Sequence, residues 1–261
     1  MSTSTTPPES GHGRTVLWSP AADGRHAARL QEFMTWVGQH QGPVPENYRQ
    51  MWQWSVSELS DFWDAVRGYF DVIGDGFSGP ALALEQMPGA RWYPDARVNY
   101  AENVLRHAGD PDRAQAAAIL HLEEDGATRE ISWRTLAGQV ASLAAALRRM
   151  RVQPGDVVAA VLPNIPEAII GLLASASIGA VWCICSPDLG VKATLDRLGQ
   201  LDPVVLIGTA GYRFNGKWVD RGGDLDAVEA GLPTVRHTII VTAQNPGART
   251  VFGDLEVFAA T

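Results

Sequence analysis

Only two cysteines occur in the 261 residues, Cys183 and Cys185, and they stand in a Cys-Ile-Cys sequence within an apolar run. Residues two apart in a strand point the same way, but they make a poor metal site without other ligands nearby. Free cysteines are usually buried and behave as small hydrophobic residues. We therefore predict that both thiols are buried and reduced, in a cytoplasmic protein.

An excess of positive charge is also missing. The chain has 21 Lys and Arg residues against 29 Asp and Glu residues, which gives a formal net charge of −8. Proteins that bind nucleic acid or anionic lipid usually carry a basic surface, so we predict no nucleic-acid partner. The hydrophobic fraction of 46% is ordinary for a globular protein of this size, which can bury a sizeable core.

The N-terminus lacks the apolar stretch of a signal peptide, because residues 1–13 are polar and rich in Ser, Thr and Pro. We predict a disordered tail there.

Residues 168–185 carry no charge and approach the length of a short membrane span. However, glycines and serines interrupt this run, and Pro166 and Glu167 suit the first turn of a helix. We predict a buried helix followed by a buried strand, and no membrane span.

Sequence motifs of hydrolases and zinc enzymes are absent. Neither Gly-x-Ser-x-Gly nor His-Glu-x-x-His occurs, and the six histidines are scattered, so we predict no catalytic residue and no metal site in this chain.

Residues 74–79 match the Gly-x-Gly-x-x-Gly dinucleotide fingerprint, which requires a preceding strand and a following helix. Here a predicted helix precedes the match and Pro80 follows it. We therefore predict a loop.

A second glycine-containing segment, Gly-Tyr-Arg-Phe-Asn-Gly-Lys at residues 211–217, nearly forms a Walker A loop. Trp218 replaces the Ser or Thr that would hold Mg²⁺, and we predict that residues 219–223 do not open a helix. A phosphate-binding P-loop is therefore not expected. Arg213 and Lys217 could still meet an anion, and the alternative is a solvated hairpin whose charges face water.

The first half of the chain has a helical, aromatic pattern. Between residues 26 and 40 the apolar residues recur at three- and four-residue spacing, which predicts an amphipathic helix. Residues 47–70 continue with aromatic helices, and Ser55 or Ser57 is the expected cap of a helix that begins near Glu58. Such rings are more often core than a ligand site. Residues 71–94 are broken by glycine and proline and predict irregular structure.

From residue 116 onward, strands and helices alternate. Residues 116–122 and 128–131 predict a hairpin across Asp125-Gly126, and Ser132 is the expected cap of the next helix. This alternation predicts an α/β fold with a parallel sheet flanked by helices. The further strands are expected at residues 157–162, from 181, at 204–207 and at 238–241, and the further helices from Pro166 and over 191–201.

Several sequence blocks carry a family resemblance. They are residues 87–103 (MPGARWYPDARVNYAEN), 162–168 (LPNIPEA), 178–182 (IGAVW), 185–188 (CSPD) and 211–217 (GYRFNGK). Together they resemble the acetoacetyl-CoA synthetase branch of the adenylate-forming acyl-CoA ligases. The first block and Ser-Pro-Asp look specific to that branch, whereas the LPNIPEA block is shared widely across the superfamily.

The resemblance implies an enzyme that joins acetoacetate to CoA at the expense of ATP, with Mg²⁺, releasing AMP and pyrophosphate. It implies that Arg213 and Lys217 meet the 3′-phosphate of CoA and that Asp188 lies near the CoA or acyl site. It also implies three regions: a mostly disordered tail at residues 1–25, a helical N-terminal layer with an irregular linker at 26–112, and a truncated α/β AMP-binding-type domain at 113–261.

In this family a Thr/Ser/Gly-rich phosphate loop ending in Pro-Lys, and a catalytic Lys, follow the part that matches this chain. We therefore expect an N-terminal portion that is inactive alone and binds no cofactor tightly, and we expect its exposed apolar surface to favour self-association. Three alternatives remain: an interaction or regulatory module with a ligase-like fold, a CoA- or nucleotide-binding module that uses Arg213 and Lys217, and another short-chain acyl-CoA synthetase.

Overall fold

The computed structural model describes residues 25–41 and 45–241. The chain divides into two compact units, Met1–Ala96 and Arg97–Thr261. The predicted disordered tail at residues 1–25 lies, apart from Arg25, outside the described residues. The predicted boundary between residues 112 and 113 stays a prediction.

The first unit is built on three helices, α1 (Arg25–His40), α2 (Tyr48–Ser57) and α3 (Leu59–Tyr69). Helix α1 buries Met34 and Val37, in agreement with its predicted spacing. Aromatic rings join the helices edge to face: the Phe33 ring lies 6.3 Å from Phe62 and 5.0 Å from Tyr69 between centroids. Such pairs add about 0.5–1.5 kcal/mol beyond the area that they bury, so the aromatic pattern serves the packing of this unit.

The predicted cap of α3 is wrong. Helix α2 continues through Ser57, so no serine stands in the extended position that a capping residue needs. The Ser55 hydroxyl instead donates to the carbonyl of Trp52, 2.8 Å away. Among the described residues of this unit, Asn47 caps helix α2, because its Oδ1 accepts from the Gln50 amide at 3.1 Å.

The segment after α3 is mostly irregular, as predicted, with one short antiparallel pair formed by β1 (Leu82–Leu84) and β2 (Arg91–Trp92). The Gly-x-Gly-x-x-Gly match is a loop, because helix α3 precedes it and no helix follows it in this described part of the chain. Gly76 is required there for local reasons. Its φ is +76°, and any Cβ would collide with the carbonyl oxygen of Asp95.

The second unit opens with α4 (Tyr100–Leu105), a 3₁₀ turn (Arg106–Gly109) and an antiparallel hairpin, β3 (Ala117–Leu122) with β4 (Thr128–Ser132). Gly126 takes φ +85° in the hairpin turn, as the Asp-Gly sequence predicts. Helix α5 (Trp133–Arg149) follows at once. Its predicted cap is confirmed, because the Ser132 hydroxyl accepts from the Thr135 amide at 3.2 Å.

The predicted parallel sheet is confirmed. Four strands lie in the order β10-β7-β5-β6, and every pair is parallel. Its strands are β5 (Val157–Val161), β6 (Val181–Cys185), β7 (Val205–Gly208) and β10 (His237–Ile240). The remaining elements are α6 (Pro166–Ser177), α7 (Val191–Leu198), a hairpin of β8 (Gly211–Phe214) and β9 (Lys217–Asp220), and α8 (Gly222–Ala230).

Helix α8 corrects one prediction, since residues 219–223 do open a helix, at Gly222. The helix is stabilised by burial of Leu225 and Val228 rather than by a side-chain cap within the described residues. Strand β9 nevertheless separates Lys217 from this helix. The geometry of a P-loop, in which the lysine leads directly into a helix, is therefore not formed.

Helices cover both faces of the sheet. Helices α5 and α6 pack with Val158 and Ala160 on one face, and α7 and α8 pack with Ala159 and Leu206 on the other. Strand β5 is consequently buried on both sides, which explains its continuous apolar sequence. The outer strands are β10 and β6. The expected self-association through exposed apolar surface stays a prediction.

The uncharged run at residues 168–185 forms most of α6, a turn and strand β6, as predicted. Pro166 begins α6, and Glu167 in the first turn lies 3.4 Å from the Arg129 guanidinium. In the described part of the chain, no helix is long and apolar enough to cross a membrane.

Both cysteines are free. Cys185 is buried and Cys183 is partly buried, and burial raises the pKa of each thiol.

We predict opposite effects on stability for alanine at two helical glycines. A Cβ at Gly171 in α6 would overlap the indole ring of Trp182 in β6, whereas a Cβ at Gly138 in α5 meets open space among the described residues. Gly171→Ala should lower the free energy of unfolding by about 1–3 kcal/mol through overpacking. Gly138→Ala should raise it by about 0.5–1 kcal/mol, because alanine is the better helix former. Urea unfolding measures both, and destabilisation by both variants would contradict the packing argument.

Candidate functional site

A cleft of about 320 Å³ opens at the carboxyl ends of strands β5 and β6. The two strands end side by side, with Val161 opposite Cys185. The helix after β5 covers one face of the sheet and the helix after β6 covers the other. Connections that leave in opposite directions create the crevice in which parallel α/β sheets usually hold ligands. The cleft is lined by residues 121–125, 163–165, 186–188 and 212–214.

Two hairpins form the outer walls of this cleft, the β3–β4 turn and the β8–β9 hairpin. The β8–β9 turn is Asn215-Gly216, with φ values of +50° and +72°. This is the two-residue turn that matches the twist of a hairpin and that Asn-Gly favours. The solvated-hairpin alternative for residues 211–217 thus describes the backbone correctly, and the question becomes where its charged side chains lie.

Asp188, which the resemblance places near the ligand, anchors the start of that hairpin. Its carboxylate accepts a hydrogen bond from the Tyr212 hydroxyl and another, at 3.0 Å, from the Ser186 hydroxyl. These bonds stabilise the ionised carboxylate, so the pKa of Asp188 is lowered, chiefly by Tyr212. The same bond, together with burial of the phenol, raises the pKa of Tyr212. Asp188 therefore stands in the cleft as an anion.

Sequence reasoning missed the second partner of Tyr212. Arg221, between β9 and α8, interacts with the phenol oxygen and donates to Asp224 at 2.8 Å. Hydrogen bonds to Asp224 and then to Tyr212 raise the pKa of Arg221. The chain Asp188–Tyr212–Arg221–Asp224 joins the end of β6 to the start of α8. A single sequence gives no means of pairing these residues.

The turn of the β8–β9 hairpin has its own carboxylate, which sequence reasoning also missed. Glu124, in the β3–β4 turn, accepts from the amides of Asn215 and Gly216, each at 3.0 Å. The Glu124 carboxylate therefore occupies both of these turn amides.

The two cations that the sequence singled out lie on opposite faces of the hairpin. Arg213 pairs with Trp218, and Phe214 pairs with Lys217. Side chains alternate along a strand and paired residues share a face, so Arg213 and Lys217 point to different sides. Both are exposed. The described residues that line the cleft include Arg213 and Asp188 but not Lys217.

A metal site within this chain was not expected. Among residues 25–41 and 45–241, no group of three or more His, Cys, Asp or Glu side chains is arranged to hold a metal ion.

We predict that Tyr212→Phe raises the pKa of Asp188, because the phenol hydrogen bond is the largest influence that lowers it. A carboxyl whose folded pKa lies below its unfolded pKa stabilises the fold above the unfolded value, and the contribution disappears as pH falls through the folded value. The variant should therefore lose part of its acid-side pH dependence of stability. NMR titration of the Asp188 carboxyl carbon measures the pKa. Ser186→Ala should raise it less, and no change in Tyr212→Phe would refute the assignment.

Comparison with known proteins agrees with this architecture. A family model described as AMP-binding enzyme matches residues 106–256, and one described as acetyl-coenzyme A synthetase N-terminus matches residues 48–104. The chain is similar to the acetoacetyl-coenzyme A synthetase of Rhizobium meliloti, with 39% identity over 84% of this chain and 33% of the relative. It is also similar to the acetoacetyl-CoA synthetase of Macaca fascicularis, with 33% identity over 87% of this chain and 33% of the relative.

A solved structure, acetoacetyl-CoA synthetase from Streptomyces lividans, matches with a TM-score of 0.82 and 39% identity, over 92% of this chain and 39% of that one. The chain thus spans about a third of the length of the curated relatives that it matches. The resemblance read from the sequence blocks and the α/β fold that it implied are both confirmed. The chain belongs to the family of AMP-binding enzymes.

Proposed function

We propose that this chain provides the N-terminal part of an ATP-dependent acetoacetate–CoA ligase, which converts acetoacetate, ATP and CoA into acetoacetyl-CoA, AMP and pyrophosphate. The observation that carries this proposal is the match, in both sequence and fold, to acetoacetyl-CoA synthetases along most of the chain. Residues 113–261 would form the α/β AMP-binding-type domain, and residues 26–112 its helical layer and linker. We place the enzyme in the cytoplasm.

The chemistry needs two half-reactions. A carboxylate has no usable leaving group, so it first attacks ATP and forms a mixed anhydride with AMP. Positive charge, Mg²⁺ and backbone donors stabilise the transition state of that phosphoryl transfer. The thiol of CoA then takes the acyl group and releases AMP. In this proposal the described cleft serves the second half-reaction, where CoA must be held and oriented.

The donor set of the cleft fits a phosphorylated ligand. Arg213 carries a guanidinium, a group that can bind a phosphate through two hydrogen bonds, and it is an exposed residue among those that line the cleft. We assign Arg213 to the 3′-phosphate of CoA, with Asp188 holding the hairpin from which Arg213 projects. Lys217 is not among the described residues that line the cleft, and in this proposal it would act only as a more distant charge.

We predict that the 261-residue polypeptide alone does not form acetoacetyl-AMP. The sequence contains no Pro-Lys step, and therefore no phosphate loop of the kind the family uses. Without such a loop and a catalytic lysine, the charge on the triphosphate is not neutralised. Acetoacetate-dependent exchange of pyrophosphate into ATP measures this step, with a full-length ligase as the positive control. Exchange by the polypeptide free of any full-length enzyme would overturn the prediction.

For the full-length ligase we predict that Arg213→Ala weakens the binding of CoA by about 1–3 kcal/mol, the range for a charge-assisted hydrogen bond. The binding of dephospho-CoA should be weakened much less. Adenylation should be nearly unchanged, because it does not use CoA. Lys217→Ala is the matched control, since it removes a cation of the same hairpin from the opposite face. The Michaelis constants for both forms of CoA and the pyrophosphate-exchange rate are the measurements. Equal losses for CoA and dephospho-CoA, or collapse of exchange, would assign Arg213 to the fold.

A further inference from the structure

Glu124 makes an unusual long-range contact, which the functional assignment above does not use. It lies in the β3–β4 turn, and its two carboxylate oxygens accept from two successive backbone amides of the β8–β9 turn. Oε1 lies 3.0 Å from the Asn215 nitrogen, and Oε2 lies 3.0 Å from the Gly216 nitrogen. The residues are 91 and 92 positions apart in sequence. Each oxygen satisfies one donor, and the negative charge strengthens both bonds.

The turn needs such a partner. Asn215 and Gly216 both take positive φ, and successive amides in such turns form a small concave surface that binds anions. The β8–β9 ladder pairs residues 211–214 with 217–220, so the turn residues themselves lie beyond it. Glu124 therefore attaches the tip of this hairpin to the β3–β4 hairpin.

Arg213 lies between two points of attachment. At one end, the neighbouring Tyr212 donates to Asp188 on the loop after β6. At the other end, two residues further along, the Asn215 amide binds Glu124. Arg213, Glu124 and Asp188 all line the same cleft. A two-stranded hairpin is only marginally stable by itself, so both attachments are needed to keep the Arg213 backbone in one place.

We propose that Glu124 is a positioning residue for Arg213: by binding the turn amides, it holds the backbone that carries Arg213 beside the cleft and so sets the preference for a phosphorylated ligand. Glu124 itself does not touch the ligand. The proposal rests on the role proposed above for Arg213 at the 3′-phosphate of CoA.

The contact can be tested in the 261-residue chain without any ligand. Amide hydrogen exchange measured by NMR reports directly on Asn215 and Gly216. In Glu124→Gln one acceptor and the charge are lost, so exchange of these amides should accelerate about ten-fold. Glu124→Asp keeps the charge but is too short to reach both amides, and it should behave in the same way. Glu130→Gln, the same charge change on exposed β4, is the control and should leave both amides unchanged. Unchanged protection in both Glu124 variants would overturn the contact.

The consequence is tested in the full-length ligase. Glu124→Gln and Glu124→Asp should each raise the Michaelis constant for CoA about five-fold, with little change for dephospho-CoA and none in the pyrophosphate-exchange rate. Glu130→Gln should match the unaltered enzyme. If Glu124→Gln lowers the Michaelis constant for CoA while Glu124→Asp does not, Glu124 acts as a competing charge and the proposal is wrong. An equal rise for both forms of CoA would also overturn it.

Failure of the wider proposal can be recognised separately. If Arg213→Ala leaves the preference for CoA over dephospho-CoA intact, Arg213 does not bind the phosphate, and the positioning role falls with it. Accelerated exchange at Asn215 and Gly216 would then still show that Glu124 holds the hairpin. If Arg213→Ala abolishes the preference and the Glu124 variants do not alter it, the role of Arg213 stands and that of Glu124 is refuted.

Discussion

The β8–β9 hairpin is held by two carboxylates that come from other parts of the chain. Asp188 accepts from the Tyr212 hydroxyl near the start of the hairpin, and Glu124 accepts from two amides at its tip. A hairpin of two four-residue strands has little stability of its own, so these charge-assisted bonds determine where it lies. The outer wall of the cleft, and the position of the Arg213 backbone in it, depend on them.

Those carboxylates are in reach because of the parallel sheet. Helices cover both faces of the sheet and bury the middle of strand β5, and the connections after β5 and β6 leave the carboxyl ends of these strands toward opposite faces. The loop after β6 places Ser186 and Asp188 at the carboxyl end of the sheet. Strand β8, which follows β7, brings Tyr212 to the same end. The cleft is thus a consequence of strand order, and the polar contacts around it settle its detailed shape.

Local patterns predicted much of the fold. The Ser132 cap, the Asp125-Gly126 turn and the Pro166 helix start depend on contacts within a few residues, and each is observed. The misses have tertiary causes. Helix α8 is short, and it is stabilised by burial of Leu225 and Val228 against a sheet face that no local signal reveals. Ser55 and Ser57 look like caps, but both lie inside helix α2, which ends at Ser57.

The sequence by itself determined the fold class, the alternation of strands and helices, and the family, because periodic apolar patterns and short motifs can be recognised from the sequence alone. Through the family resemblance, it also identified Asp188, Arg213 and Lys217 as candidate ligand-binding residues. Only the tertiary structure decided what these residues can do together. Strand register puts Arg213 and Lys217 on opposite faces, and packing brings Tyr212 to Asp188 and Glu124 to the Asn215-Gly216 turn. Contacts across 24 or 91 residues depend on how the sheet is assembled, and no local pattern encodes that geometry.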